Sequence, residues 1–249
     1  MSEKNRYERN LGAISSAEQK VLAKSKVCIV GCGGLGGGAI EALVRLGVGT
    51  GGYMDSGADS MEALGGYITV VDCDSFDPTN LNRQVLSNEN NLGHAKATEA
   101  KLQMKQINSE VNIFSVQAEL DEENVIDIIG GHQVVIDALD NIRTRLILEE
   151  ACAKEEIPLI HGAIGGWYGQ VGVAMPGAGL LRSIYGEEDQ CCEQAEGNLP
   201  NPGNLPFVAA AISAMQAAEA VKVLLGKSTL KNRLLTVELL SSEYEIIDF

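Results

Sequence analysis

The six cysteines of this 249-residue chain (28, 32, 73, 152, 191 and 192) form no C-x-x-C pair, which removes the familiar zinc and dithiol spacings. A disulfide framework is not expected at this size. Cys28, Cys32 and Cys73 lie in or beside apolar runs, where a free cysteine behaves as a small hydrophobe. No apolar run reaches the roughly 18–20 residues that cross a bilayer, so no membrane span is expected. The charged start MSEKNRYERN has no apolar stretch behind it, and the expectation is a cytoplasmic protein. Basic residues are also scarce: 19 Lys and Arg stand against 34 Asp and Glu, a formal net charge of −15. A non-specific nucleic-acid surface needs clustered cations, so nucleic acid is not an expected partner. The acids gather in AELDEENVID (118–127) and GEEDQCCEQAE (186–196), which read as solvated faces or as a docking field for a cationic segment. A P-loop is missing too, because the GKS at 226–228 lacks the first glycine and ends a helix.

What is present alternates. An apolar content of 45% suits a globular chain with a sizeable core. Residues 7–24 read as an amphipathic helix with Leu11, Ile14, Val21 and Leu22 as its apolar positions. KVCIVG (26–31) is a short apolar run of the kind a buried parallel strand requires, and it feeds a glycine-rich turn and a helix ending at Gly47. Strands at 67–72, 111–117, 133–139 and 158–164 then alternate with helices near 93–107, 121–129 and 142–155. The expected fold class is α/β, a doubly wound, Rossmann-like, mostly parallel sheet in a single domain over 1–249. A strand at 168–176, a helix at 206–226 and a hairpin at 232–240 and 243–248 extend it with C-terminal antiparallel strands. Residues 177–206 read as a long irregular crossover loop, and 50–66 as a surface insertion between the first helix and second strand.

The chemistry begins at Gly31, Gly33 and Gly36, a G-x-G-x-x-G placed directly after a strand and before a helix. Such a turn lets phosphates approach the unpaired N–H groups of the helix N-terminus. A ribose-binding acid belongs about 20 residues further on. Asp72 lies 36 positions past Gly36, and taking out the 17-residue insertion leaves 19, which restores the spacing. With no P-loop lysine, a bound triphosphate needs other cations, and Arg83 and Lys96 are the candidates. Asp140 follows the strand VVIDALDN on the same sheet edge. A carboxylate beside polyphosphate is most simply explained by Mg²⁺, a hard ion that takes oxygen ligands. The glycine motif alone would equally suit an NAD-dependent oxidoreductase.

The segments RYERN, GCGGLGG, VDCDSFDPTNLNRQ, LGHAK, DALDN, PLIHGAIGGWYGQV and SAMQAAEAVKVLLG follow one another along the chain. In that order they resemble the ThiF/MoeB/HesA family, bacterial relatives of ubiquitin-activating enzymes, over all but the 50–66 insertion. The resemblance implies an enzyme that uses ATP and Mg²⁺ to adenylate the C-terminal glycine of a small ubiquitin-like sulfur carrier ending in Gly-Gly. It also implies a homodimer, and a sulfurtransferase or cysteine desulfurase as a further partner. By the same resemblance the nucleotide would lie on Gly31, Gly33, Gly34 and Gly36. Asp72 and Asp74 would face it, with Asn80, Arg83, Gln84 and Lys96 at the phosphates. Asp140 would organise Mg²⁺ beside Asn141, and Arg9 would reach across the dimer to the partner's nucleotide.

The chain departs from that family in two places. Many members carry two C-x-x-C pairs for a structural zinc, whereas the corresponding stretches here, PGAGLLRSIYG and VELLSSEYEIIDF, contain no cysteine, so no zinc site is expected. Cys191 and Cys192 fall in the crossover loop, where several relatives keep a cysteine for thioester or persulfide chemistry. Cys192 is the better match, although its acidic neighbours disfavour a thiolate. A tRNA-modifying dehydratase of the same superfamily is the nearest alternative function, disfavoured by the acidic balance. A non-catalytic carrier-binding scaffold is disfavoured by the complete set of candidate ATP residues.

Overall fold

The computed structural model describes residues 6–52, 65–186 and 203–249. Five parallel strands come first in the chain: β1 (Lys26–Val30), β2 (Tyr67–Val71), β3 (Ile113–Val116), β4 (Val134–Asp137) and β5 (Leu159–Gly165). Three antiparallel strands follow, β6 (Tyr168–Ala174), β7 (Arg233–Glu238) and β8 (Glu243–Asp248), giving one sheet in the order β3-β2-β1-β4-β5-β6-β7-β8. The fold is therefore the expected doubly wound α/β sheet with an antiparallel extension. β1 pairs with β2 on one side and β4 on the other, so the chain reverses its winding there. Open sheets of this kind bind ligands beyond the strand ends at that switch point.

Alternation along the central strands builds the two layers. Val27 and Ile29 of β1 join Val134 and Ile136 of β4 in one core cluster, while Cys28, Val30 and Val135 belong to the other. The first cluster packs against α2 (Gly34–Leu46), α3 (Lys96–Ile107) and α7 (Pro206–Leu224). The second packs against α4 (Val125–Ile129), α5 (Ile142–Lys154) and α6 (Leu180–Tyr185). By length and composition α7 could cross a membrane, with a mean hydropathy of 1.5. Here it lies along β4, β5 and β6 and against α2, where Gly38 brings the α2 backbone close to Ser213.

Three boundaries differ from the sequence reading. The helix expected over 7–24 is a 3-10 turn (Glu8–Asn10) followed by α1 (Ser16–Ala23). Gly12 is left-handed at φ 107°, and Ser15 and Glu18 close a capping box that starts the helix afresh. Leu11 and Val21 are consequently exposed, and Leu22 alone of the four expected apolar positions is fully buried. The third helix begins at Lys96 rather than 93, behind a left-handed Gly93. The 177–206 stretch is not wholly irregular, because α6 forms within it. Its N–H groups at Leu181 and Arg182 donate to the Glu149 carboxylate, and Leu180 and Leu181 are buried.

The insertion leaves and re-enters the fold at one point. Gly65 N–H donates to the Gly52 carbonyl at 3.0 Å. The Asn112 amide donates to the carbonyls of Gly51 and Gly66 at 2.7 and 2.9 Å. Residues 53–64 lie outside the described residues. Asn112→Ala should therefore lower stability by about 1–2 kcal/mol, two ordinary hydrogen bonds' worth. A urea midpoint shifted down with unchanged slope is the expected result.

Candidate active site

Helix α2 can begin immediately after β1 because two glycines touch. A Cβ on Gly36 would stand 1.7 Å from the Gly31 carbonyl oxygen, and Gly31 itself is left-handed at φ 100° against the Ala138 backbone. Gly33 caps α2 without any side-chain bond, so the first N–H groups of the helix face outward. Beyond them lies a cavity of about 610 Å³ at the ends of β1, β2 and β4. Its walls include Gly31, Gly33, Gly34, Asp72, Asp74, Arg83, Gln84, Lys96, Asp140 and Asn141, so most of the residues singled out from the sequence converge there.

Asp72 ends the β2 segment and serves the glycine loop as well as the cavity. Its two carboxylate oxygens accept the N–H groups of Cys32 at 2.7 Å and Asp74 at 2.8 Å. Burial pushes its carboxyl above the ordinary range despite those bonds and the Lys96 charge. Lys96 enters at the first position of α3 and is 7% exposed, with Nζ 2.9 Å from Asp74 Oδ2. That bond holds the Asp74 carboxyl below the usual carboxylate range. The ammonium is thus fixed at the cavity wall, buried on its stem and paired at its tip.

The turn Asp77–Gln84 presents the other cation. Asn80 accepts the Asp77 N–H at 3.0 Å, and its backbone carbonyl accepts from Arg83 and Gln84. Asn80 is buried and shapes the turn, behind the residues that line the cavity. The Arg83 stem lies over Gly34 at the start of α2, and its Nη1 donates to Thr79 O and Asn82 Oδ1, both at 3.0 Å. Gln84 is 6% exposed and its Oε1 has no partner among the described residues, an acceptor left open at the cavity. A buried acceptor without a donor costs free energy until a ligand supplies one.

Asp140 stands exposed on the opposite rim, beside Asn141, which caps α5 by accepting the Thr144 N–H at 2.8 Å. Asp140 makes no ion pair among the described residues, and a free, exposed carboxylate fits a hard divalent cation. Arg9 is elsewhere. It lies in the 3-10 turn whose neighbour Tyr7 packs on Gly47, at the far end of α2, about 20 Å along the helix from its own cavity. Cys191 and Cys192 lie outside the described residues.

The ThiF family profile matches residues 7–249. The SAMP-activating enzyme E1 of Haloferax volcanii is 32% identical, covering 98% of this chain and 85% of that protein. The molybdopterin-synthase adenylyltransferase of Haemophilus influenzae is 33% identical, covering 95% of this chain and 90% of that protein. The chain belongs to the ThiF family. Through that family it is an adenylyltransferase, and the oxidoreductase reading of its glycine motif falls away. Among solved structures, E. coli MccB superposes with a TM-score of 0.80 at 22% identity, over 99% of this chain and 70% of that one, a likeness of fold.

Sequence reasoning missed part of this ThiF-family cavity. Ala118, Glu119 and Leu120 after β3, and Ala163, Ile164 and Gly165 at the end of β5, also line it. So does Arg145, one turn into α5. Its spacing of four from Glu149 resembles a solvated i, i+4 pair, yet both residues are buried.

Among the described cysteines, Cys73 lines the cavity and is exposed, while Cys28, Cys32 and Cys152 are buried. Burial pushes Cys28 up to about 12 and raises Cys32 and Cys152 as well. Partial burial, with Asp74 and Asp72 beside it, also raises Cys73. Since the thiolate is the reactive form, Cys73 alkylation should be slow at neutral pH and keep accelerating above pH 9. Peptide-resolved labelling should find Cys73 far ahead of the three buried cysteines, and saturating ATP should slow it at least fivefold.

Proposed function

We propose that this enzyme adenylates the C-terminal glycine of a small ubiquitin-like sulfur carrier, with ATP as the nucleotide and Mg²⁺ as the metal. The observation that carries the reading is the convergence of Arg83, Lys96, Asp72 and Asp140 on one cavity at the N-terminus of α2. The names of the relatives, which concern sulfur-carrier and molybdopterin-synthase adenylation and SAMP activation, support a protein substrate of this kind. The cytoplasm, where ATP and such carriers meet, is the proposed compartment.

In this scheme a carboxylate oxygen of the carrier attacks the α-phosphorus of ATP. The bond to the bridging oxygen breaks and pyrophosphate leaves. Negative charge grows on the phosphoryl oxygens and the leaving group, and preplaced cations are worth most in that state. Arg83, anchored over Gly34, and Lys96, held by Asp74, are the preplaced cations. Asp72 would take the ribose hydroxyls on the carboxylate lone pairs its two backbone donors leave open. Asp140 would hold Mg²⁺, which when bound neutralises polyphosphate charge. The protein otherwise aligns two anions that repel each other in water.

Arg9 cannot serve the cavity of its own subunit from the far end of α2, so its proposed role requires a second copy of the chain. A homodimer with reciprocal arginines satisfies that geometry. A sulfurtransferase or cysteine desulfurase is the proposed source of sulfur for the adenylated carrier.

Two measurements test the reading. Wild-type protein should catalyse carrier-dependent ATP–pyrophosphate exchange, and Arg83→Ala should lower kcat about 100-fold while changing ATP affinity much less. Equal losses in both would make Arg83 a ground-state binder instead. Mixing Arg9→Ala with Lys96→Ala subunits should restore activity, because each heterodimer contains one intact site. No recovery after demonstrated subunit exchange would remove the shared site.

A further inference from the structure

Beneath the cavity floor, on the α5 and α6 side of the sheet, four polar side chains close a ring where hydrophobic residues would otherwise be expected. Asp137 and His161 are register partners on β4 and β5, so their side chains emerge side by side on one face. Both are fully buried, and His161 Nδ1 lies 2.7 Å from Asp137 Oδ2. An ionised carboxylate only accepts, so Nδ1 carries the hydrogen and Nε2 is left as an acceptor. Tyr185, the last residue of α6, has its hydroxyl 3.1 Å from that Nε2. The Tyr185 oxygen in turn accepts from Arg145 Nη1 at 2.7 Å and from Gln170 Nε2 at 2.9 Å. Arg145 Nε lies 3.6 Å from Asp137 Oδ2, so charge attraction rather than a hydrogen bond closes the circuit, and Nε has no hydrogen-bond partner among the described residues. The hydrogen bonds then run from Arg145 to Tyr185, from Tyr185 to His161 and from His161 to Asp137, with the Gln170 amide also 3.0 Å from His161 Nε2 and shared between that nitrogen and the Tyr185 oxygen.

The remaining bonds of Arg145 leave the ring and go to the two strand ends that flank the cavity. Its Nη2 donates to the carbonyls of Leu139, next to Asp140, and of Gly162, next to the cavity-lining Ala163. One guanidinium therefore ties the loop that carries Asp140 to the edge of β5. Four residues on, Glu149 holds the other end of α6 by accepting from Leu181 and Arg182. Burial pulls the Asp137 carboxyl upward, but the Arg145 charge and the His161 bond outweigh it and keep it below the ordinary range. Burial pushes His161 down, so the imidazole stays neutral and the ring holds one anion and one cation.

We propose that Arg145 is a positioning residue of the adenylation site, locked by the Asp137–His161–Tyr185 ring so that it sets the separation between the Asp140 loop and the β5 edge. The inference rests on the adenylation reading above. Its physical basis is the fork of the guanidinium, which satisfies the Tyr185 hydroxyl and two carbonyls at fixed angles, whereas an ammonium on a flexible stem cannot hold all three. A displacement of the order of 1 Å at reacting groups costs up to about 100-fold in rate. Arg145 reaches the cavity wall, but its guanidinium is committed to Tyr185 and the two carbonyls, so the loss should appear in kcat through the placing of Asp140 rather than in nucleotide affinity.

The test compares wild type, Arg145→Lys and Tyr185→Phe in carrier-dependent pyrophosphate exchange, with thermal unfolding of each. Tyr185→Phe keeps the ring volume and removes only the hydroxyl that joins Arg145 to His161, so it decides the matter if Arg145→Lys does not fold. The expected result is a kcat about 10- to 100-fold lower for Arg145→Lys and about 3- to 10-fold lower for Tyr185→Phe. The KM for ATP should stay within about threefold of wild type in both. Folded variants with wild-type kcat, or with losses confined to KM, would overturn the positioning role while leaving the adenylation reading intact. Wild-type protein inert with every carrier tested would overturn both.

Discussion

The contact between Gly36 and the Gly31 carbonyl is the constraint from which the active site is built. Without a Cβ at position 36, α2 starts directly at the end of β1 and its unpaired N–H groups face the switch point of the sheet. Any side chain there would push the helix off the strand and close the cavity from behind. Asp72 depends on the same contact, because the loop it grips through Cys32 N–H exists only in that tight conformation. The acid that would hold ribose also holds the phosphate loop. A substitution at Asp72 therefore acts on both at once.

The cations are supported in two different ways. Lys96 is buried along its stem and paired with Asp74, so its position is fixed by an ion pair that incoming phosphates must share. Arg83 is half-exposed and rests on its own turn, bonded to Thr79 and Asn82. The capped turn around Asp77 and Asn80 fixes the backbone that carries the arginine. A nucleotide would thus meet one cation paired with a carboxylate and one held over the start of α2 by neutral acceptors, with the open Gln84 acceptor also at the cavity.

The polar ring below the floor occupies an unusual place for charge. Strand parity puts Asp137 and His161 on the face that otherwise packs against leucine and alanine of α5 and α6. Breaking a buried pair is costly, because each partner left behind is an uncompensated charge. The ring is therefore intolerant of partial substitution. The same region fixes α6: Glu149 and Arg145 pin the two ends of that helix, and Leu180 and Leu181 pack beneath it.

Much of the fold was legible in the linear chain. Short apolar runs alternating with helical periods specify buried parallel strands and their crossovers, because a strand covered on both faces must be apolar throughout. Glycine spacing and the acid at Asp72 are legible for a similar reason, since local backbone geometry and a fixed chain length tie them together. The capping box at Ser15 and the left-handed Gly12 were local signals as well, but the apolar period across 7–24 masked them. Other features were settled only when distant segments met. Asn80 has the residue type of a phosphate ligand, yet folding buries it within the turn it caps, where its amide oxygen accepts the Asp77 N–H. Arg145 and Glu149 have the spacing of a solvated pair, and the sheet buries them. How far Arg9 stands from its own cavity was not legible either, because the packing of Tyr7 on Gly47 sets it at the far end of α2. The sequence by itself determined which residues form strands, helices and the nucleotide loop, because those depend on neighbours within a few positions. Which polar groups face the cavity and which lie beneath it depends on contacts across dozens of residues, and only the tertiary structure decided them.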